Sequence, residues 1–180
     1  MKIGFLCGSL RAGSINKQLE AALIKRAKAM GAKTSVINLN SFELPLYHGD
    51  LKTPANVKKL IRKMKGFDAI VITTPEYNGG LTPLLKNAID WTSTVETGHI
   101  TGPVYGIASA TPGPMSGIMG MRQLAYILNR LGAQVIPTQV GCGVASTAFD
   151  SKGNLTAEPA SALADKMLSS LMERAARNTA

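Results

Sequence analysis

The chain has 180 residues, a formal net charge of +9 and a hydrophobic content of 45%. This length predicts a single domain over residues 1–180, with enough buried surface to be stable without disulfides or metals. The longest apolar runs, such as AIVIT and VYGIASA, are far shorter than the roughly 20 residues that cross a bilayer, and the N-terminus does not resemble a signal peptide. We therefore expect no membrane association and a cytoplasmic location.

The positive charge favours acidic ligands, but its distribution does not favour nucleic acid. The densest basic stretch, residues 58–65, places its apolar residues at helical spacing, so its lysines form the solvated face of a helix. It has neither aromatic residues nor a known nucleic-acid reader motif. The two cysteines, Cys7 and Cys142, lack metal-ligand spacing and are expected to be reduced thiols. We expect no nucleic-acid partner and no metal site.

Strand and helix patterns alternate from one end of the chain to the other. Short apolar runs predict strands at 2–8, 34–39, 68–74, 103–110 and 133–137. Apolar residues at helical spacing predict helices at 15–30, 54–65, 82–91, 116–131 and 157–176. This alternation predicts an α/β fold with a parallel, doubly wound sheet. Ligands of such sheets bind beyond the carboxyl ends of the strands, which here lead into a first loop (8–14), a second loop (74–82) and a third loop (110–116).

The first loop, GSLRAGS, has the composition of an anion-binding loop. Ser14 can cap the following helix, whose free N–H groups attract an anion, and Ser9 and Arg11 add further donors. The loop lacks the lysine of a Walker motif, and its glycines, Gly8 and Gly13, do not have the spacing of a dinucleotide fingerprint. Because the donors converge on one point, a terminal monophosphate fits better than a pyrophosphate.

The second loop supplies groups that are suited to a flat ring. Tyr77 offers an aromatic face, Asn78 offers an amide, and the glycine pair after them lets the backbone come close to a ligand. A heterocycle with alternating carbonyl and N–H groups, such as the pyrimidine end of a flavin, matches these groups. Two alternatives stay open from the residues alone: Glu76 as a surface acid and Tyr77 as a packing aromatic. Ser109, near the end of the fourth predicted strand, can donate a hydrogen bond to a ring.

The segments GSLRAGSIN and PEYNGGLTPLLKNAIDW together resemble the NAD(P)H-dependent FMN reductase family, which includes quinone and chromate reductases. The resemblance implies a flavodoxin-like three-layer sandwich, with a five-stranded parallel sheet of order 2-1-3-4-5, and non-covalently bound FMN. It assigns the FMN phosphate to Ser9, Arg11, Ser14 and Asn16. It assigns the isoalloxazine ring to Pro75, Glu76, Tyr77, Asn78 and Ser109. It also implies a homodimer or a dimer of dimers.

The same resemblance implies an enzyme that transfers hydride from NAD(P)H to FMN and then reduces a quinone, free flavin, chromate or similar small acceptor, with ping-pong kinetics. No side chain is needed as nucleophile or acid, so we predict no catalytic residue, and His48 and His99 are expected to be bystanders in loops. One alternative is a flavodoxin-like electron carrier without an NAD(P)H site; another is a non-enzymatic phosphate- or nucleic-acid-binding module. The positive charge argues against the electron carrier, because such carriers tend to be acidic.

Overall fold

Strands and helices alternate along the chain in the computed structural model, which describes residues 1–179; Ala180, the last residue of the predicted domain, lies outside the described residues. The strands are β1 (Lys2–Cys7), β2 (Lys33–Val36), β3 (Ala69–Thr73), β4 (Val104–Ala110), β5 (Gln134–Val135) and β6 (Val140–Cys142). The helices are α1 (Ile15–Ala29), α2 (Ala55–Met64), α3 (Pro83–Ser93), α4 (Gly98–Thr101), α5 (Ile118–Arg130) and α6 (Ala160–Thr179). Two short 3-10 helices span Leu39–Phe42 and Ala145–Thr147. No helix in this described part of the chain is both long and apolar enough to cross a membrane.

The strands form one parallel sheet in the order β2-β1-β3-β4-β5, with β6 also paired to β4. This confirms the predicted α/β class, the parallel sheet and the strand order. β3 and β4 are buried along their whole length, because helices cover both faces of the sheet centre. α1 and α6 pack on one face, and α2, α3 and α5 pack on the other. The carboxyl ends of β1, β3 and β4 therefore open at one edge of the sheet, where the three loops begin.

The fifth strand is interrupted, which the sequence does not predict. The apolar run predicts one strand at 133–137, whereas the structure has the two-residue β5 followed by β6. Gln134 pairs with Val104 and Val140 pairs with Ala108, so four positions along β4 correspond to six positions in the interrupted strand. Pro137 lies between the two segments and has no N–H to donate to β4. The two extra residues therefore lie outside the regular pairing.

Helix starts show where local sequence signals are reliable. Ser14 caps α1 with its side-chain oxygen, as the sequence predicts, and Thr82 caps α3 directly in front of Pro83, a favourable first residue of a helix. α5 differs, because it begins at Ile118 behind Gly117, a residue that has no side chain to act as a cap. The predicted start at residue 116 is therefore two residues early, and the cap of α5 must come from another part of the chain.

Candidate functional site

The first and third loops are joined directly at the carboxyl edge of the sheet. The Asn16 side chain donates from Nδ2 to the Ala110 carbonyl (2.8 Å), and its Oδ1 accepts from the Ala110 N–H (2.9 Å). The Gly8 N–H also donates to the Thr73 carbonyl at the end of β3 (2.8 Å). Asn16 is buried, so these contacts are shielded from water. The start of α1 is therefore fixed against the ends of β3 and β4.

The first loop presents donors and positive charge at the start of α1. Ser14 Oγ accepts from the Asn16 N–H (3.2 Å), and no acidic residue lies in the first turn of the helix. Arg11 is exposed, and its guanidinium donates to the Gly13 carbonyl of the same loop (3.1 Å). Lys17 Nζ donates to the Leu10 carbonyl (3.3 Å). These cations and the helix dipole make the loop suitable for an anion such as a phosphate.

Two residues in or beside the first loop have roles that the sequence analysis missed. Lys17, in the first turn of α1, adds a second cation to the loop, and this position directly behind the loop is the signal from which its role could have been predicted. Gly8 is needed for packing, because a Cβ at this position would lie 2.6 Å from Leu85 Cδ1 and 3.0 Å from Thr82 Oγ1. The glycine therefore lets β1 approach the start of α3. This packing alone explains the glycine at position 8, so a close approach of its backbone to a ligand is not needed to explain it.

The second loop contains a rigid two-residue turn. The Tyr77 N–H donates to the Gly80 carbonyl (3.1 Å), and the Gly80 N–H donates to the Tyr77 carbonyl (3.0 Å). Asn78 and Gly79 between them have φ of 52° and 74°, the conformation that an Asn-Gly pair adopts in a tight hairpin. Tyr77 itself is 50% exposed, so it is not a buried packing aromatic. The two hydrogen bonds fix the backbone of 77–80 and leave the Tyr77 side chain half exposed.

Glu76 is the missing cap of α5. Its Oε2 accepts from the N–H groups of Met119 and Gly120, both at 2.9 Å, at a helix start that has no cap of its own. Gly120 allows this approach, because a Cβ there would lie 3.3 Å from the Gly80 carbonyl oxygen. A carboxylate at a helix N-terminus is also favoured by the helix dipole. Glu76 therefore ties the second loop to the helix that follows the third loop, and it is not a free surface acid.

Ser109 and the third loop are packed more tightly than the sequence suggests. The Ser109 side chain is fully buried, and its Oγ has no hydrogen-bond partner among the described residues. A Cβ at Gly117, which has φ of 70°, would lie 2.0 Å from this oxygen. The neighbouring Ser116 also has a positive φ, 56°. Ser109 thus lies beneath the third loop, and its predicted hydrogen bond to a ring stays a prediction.

Both histidines lie outside these three loops. His99, predicted to lie in a loop, belongs to the short helix α4 and is fully buried. Neither of its ring nitrogens has a hydrogen-bond partner among the described residues. Burial lowers the pKa of His99 to about 4, and the nearby Glu96 only partly opposes this. The imidazole is therefore neutral at physiological pH.

A parallel sheet of order β2-β1-β3-β4-β5 with helices on both faces defines the flavodoxin-like fold, in which ligands bind at the carboxyl edge of the sheet. The sequence matches the family described as NADPH-dependent FMN reductase over residues 1–147. The chain therefore belongs to the NADPH-dependent FMN reductase family, which confirms the resemblance seen in its two motifs. It is an oxidoreductase with FMN as its cofactor and NAD(P)H as its co-substrate.

Relatives and solved structures agree with this assignment. An NAD(P)H-dependent FMN reductase of Pseudomonas aeruginosa is 30% identical over 175 residues, 95% of this chain and 93% of that protein. A quinone reductase of Escherichia coli is 33% identical over 140 residues, 76% of this chain and 73% of that protein. The flavoenzyme FerB, an NAD(P)H:(acceptor) oxidoreductase from Paracoccus denitrificans, has a similar structure with a TM-score of 0.82 at 24% identity, covering 98% of each chain. This last likeness shows the shared fold.

Proposed function

We propose that this chain is a cytoplasmic NAD(P)H-dependent FMN oxidoreductase that reduces a small quinone-type acceptor with ping-pong kinetics. The observation that carries the proposal is the direct contact of Asn16 with Ala110, which brings the anion loop against the strand end beside the ring-binding loops. One ligand with a phosphate at one end and a flat ring at the other can therefore occupy both parts. FMN has this shape.

The phosphate of FMN would be held by the first loop. Ser9 and Ser14 are nearly buried residues of this loop, Ser14 at the start of α1, and Arg11 can exchange its contact with the Gly13 carbonyl for phosphate oxygens. Lys17 adds charge from the first turn of α1. Asn16 is already bonded to the Ala110 backbone, so we expect it to position the loop in addition to any contact of its own with the phosphate.

The ring of FMN would lie against the second loop. Pro75, Glu76, Tyr77 and Asn78 would supply the contacts there, mostly through backbone groups held by the 77–80 turn. When bound, FMN supplies the redox chemistry, since it accepts hydride from NAD(P)H and passes electrons to the acceptor. The protein's part is to bind and orient the ring and to place backbone N–H groups near its carbonyl edge. We therefore assign no catalytic side chain.

The acceptor is proposed by analogy with the relatives. The relatives include a quinone reductase and an NADPH azoreductase. Quinones and azo compounds, the acceptors in these two names, are flat, conjugated molecules. A quinone is our first candidate; free flavin and chromate are further candidates. A single open face of the ring that serves NAD(P)H and acceptor in turn would give ping-pong kinetics.

We also propose that the chain forms a homodimer or a dimer of dimers. Large apolar side chains are exposed around the ring-binding loops and along α5: Tyr77 at 50%, Met115 at 68%, Met119 at 49% and Tyr126 at 70%. Exposed apolar groups that cluster in this way are typical of interaction surfaces. A second copy would cover them and narrow the entrance to the ring site. Sedimentation of the FMN-loaded protein tests this, and a monomer at micromolar concentration would contradict it.

Anaerobic mixing of the FMN-loaded protein with NADPH, and separately with NADH, tests the enzymatic function. We expect at least one of them to bleach the flavin absorbance within seconds, and a quinone added afterwards to restore it. Product inhibition and initial-rate patterns with both substrates then test the ping-pong order. A flavin that stays oxidised with both nucleotides would contradict the reductase and favour the electron carrier. Protein that fails to bind FMN at all would favour a non-enzymatic binding module.

A further inference from the structure

A cavity lies beside the first loop, on the opposite side from the ring-binding loops. It has a volume of about 240 Å3. Its walls come from the end of β1, the first turns of α1 and residues 36–39 after β2. Of the residues assigned to FMN, Ser9 and Lys17 from the phosphate side line it, and none of the ring contacts does. The cavity therefore has room for a group other than the ring of FMN.

Glu20 points to a ligand in this cavity. Its side chain lines the cavity, the residue is only 7% exposed, and its Oε1 is buried without a hydrogen-bond partner among the described residues. Burial raises the pKa of Glu20 to about 7, and Lys17 only partly offsets this. A buried carboxyl oxygen without a partner is costly, so a ligand that hydrogen-bonds to it gains affinity.

The other groups restrict the chemistry of that ligand. The side chains of Leu10, Val36 and Leu39 provide aliphatic walls suited to a flat ring, and Val36 and Leu10 are about half exposed. Lys17 at the rim disfavours a simple amine, and Glu20 disfavours a simple anion. An N–H donor beside a ring nitrogen acceptor can pair with a carboxyl group in either protonation state. Adenine carries such an edge, and a phosphate attached to it would meet Lys17.

The strand order places this cavity within reach of the ring site. The ring-binding loops follow β3 and β4, whereas the cavity lies at the ends of β1 and β2, and the order is β2-β1-β3-β4. The two positions are separated by about two strand spacings, roughly 10 Å, along the same edge. We propose that this cavity binds the adenine end of NAD(P)H while the nicotinamide lies at the flavin. The proposal rests on the use of NAD(P)H by this family.

Binding of AMP to the FMN-loaded protein tests the site without turnover, since FMN already fills the first loop. Calorimetry should show one AMP bound per chain, and Glu20→Leu should weaken this binding at least 10-fold. Glu20→Gln should stay within about threefold of the wild type, because an amide reads the same adenine edge. Glu173→Gln, an exposed acid on α6, is the matched control. FMN content and thermal unfolding of each variant show that it is folded.

A kinetic comparison ties the cavity to the reaction. Reduced nicotinamide mononucleotide lacks adenine, so Glu20→Leu should raise KM for NADPH at least fivefold more than KM for the mononucleotide. Absence of AMP binding to the wild type, equal AMP binding by Glu20→Leu, or equal KM effects would overturn the proposal. If AMP binds through Glu20 but no nicotinamide reduces the flavin, the reductase function fails and the adenine site stands. If a nicotinamide nucleotide reduces the flavin but AMP does not bind, the adenine site is wrong and the reductase function stands.

Discussion

The first loop and the second loop offer a ligand different things at the same edge of the sheet. The first loop offers charge: the guanidinium of the exposed Arg11 donates to the Gly13 carbonyl of its own loop, and Lys17 Nζ donates to the neighbouring Leu10 carbonyl. The second loop offers shape: Asn78 and Gly79 fix a tight turn through positive φ angles, and Glu76 anchors it to α5. A phosphate dianion is held by cations and charge-assisted hydrogen bonds, whereas a flat ring is held by backbone groups in a fixed geometry. Substitutions in the two loops therefore test charge and geometry separately.

Asn16→Ala should have the largest effect, because this side chain fixes the start of α1, directly after the first loop, to the end of β4. Loss of both hydrogen bonds leaves the Ala110 N–H and carbonyl buried without partners, which costs about 2–4 kcal/mol of the free energy of unfolding. For a chain of this size that lowers Tm by roughly 5–15 °C. Thermal unfolding of the FMN-loaded protein measures it. Asn129→Ala, at an exposed position on α5, is the control. An equal, small shift of Tm in both variants would show that the Asn16–Ala110 contact does not stabilise the protein.

Arg11→Ala should weaken FMN binding by about 1.5–3 kcal/mol, the contribution of a charge-assisted hydrogen bond. Because Arg11 is exposed, the variant without flavin should unfold at the same temperature as the wild type. Fluorescence titration with FMN provides the affinity. Arg62→Ala removes the same charge from the exposed face of α2 and should leave the affinity within about twofold. An unchanged FMN affinity in Arg11→Ala would remove this residue from the phosphate site.

Glu76→Ala should change the position of the second loop relative to α5 and should not remove charge from the phosphate site. Removal of the cap from α5 costs about 1–2 kcal/mol of stability and loosens the second loop relative to α5. We expect a shifted flavin absorbance spectrum and circular dichroism of the bound ring, with partial recovery in Glu76→Gln, whose amide oxygen still accepts. If the ring spectra of Glu76→Ala matched those of the wild type, Glu76 would be a helix cap without influence on the site.

His99 provides a comparison outside both loops. Its pKa is about 4 in the folded protein and 6.5 in the unfolded chain, so the unfolded chain takes up the proton first as the pH falls. The protein should therefore lose stability as the pH drops from about 6.5 toward 4, by about 1 kcal/mol between pH 7 and 5.5. Denaturant unfolding of wild type and His99→Leu measures the difference. His48→Leu, at an exposed histidine, serves as control. If His99→Leu lost as much stability at acidic pH as the wild type, His99 would be excluded as the source of that loss.

The sequence predicts features whose causes are local. Ser14 caps α1 and the Asn-Gly pair forms its turn, because both depend on residues within a few positions. The bond from Glu76 to Gly120 spans 44 positions, and the bond from Asn16 to Ala110 spans 94. No pattern of spacing along one element encodes such contacts. The alternation of elements does predict the strand order once the family resemblance is added, since the fold places all three loops at one edge.

Other features depend on what covers a residue after folding. Glu20 follows Leu19 on the apolar face of α1, and its burial requires the end of β1 and residues 36–39 to close over that side of the helix. His99 has a loop-like sequence context, but it lies in the short helix α4 and is fully buried in the folded protein. The interruption of the fifth strand depends on how Pro137 fits beside β4. These three features depend on contacts between distant parts of the chain, so they are visible only in the tertiary structure.

We propose that the first loop binds the terminal phosphate of FMN and that the second loop binds its ring. Riboflavin has the ring without the phosphate, so a comparison of its affinity with that of FMN separates the two contributions. We predict that the wild type prefers FMN by at least about 100-fold, that Arg11→Ala reduces this preference about 10-fold or more, and that Glu76→Ala weakens both ligands equally. An unchanged preference in Arg11→Ala, or a selective loss of FMN in Glu76→Ala, would contradict the account.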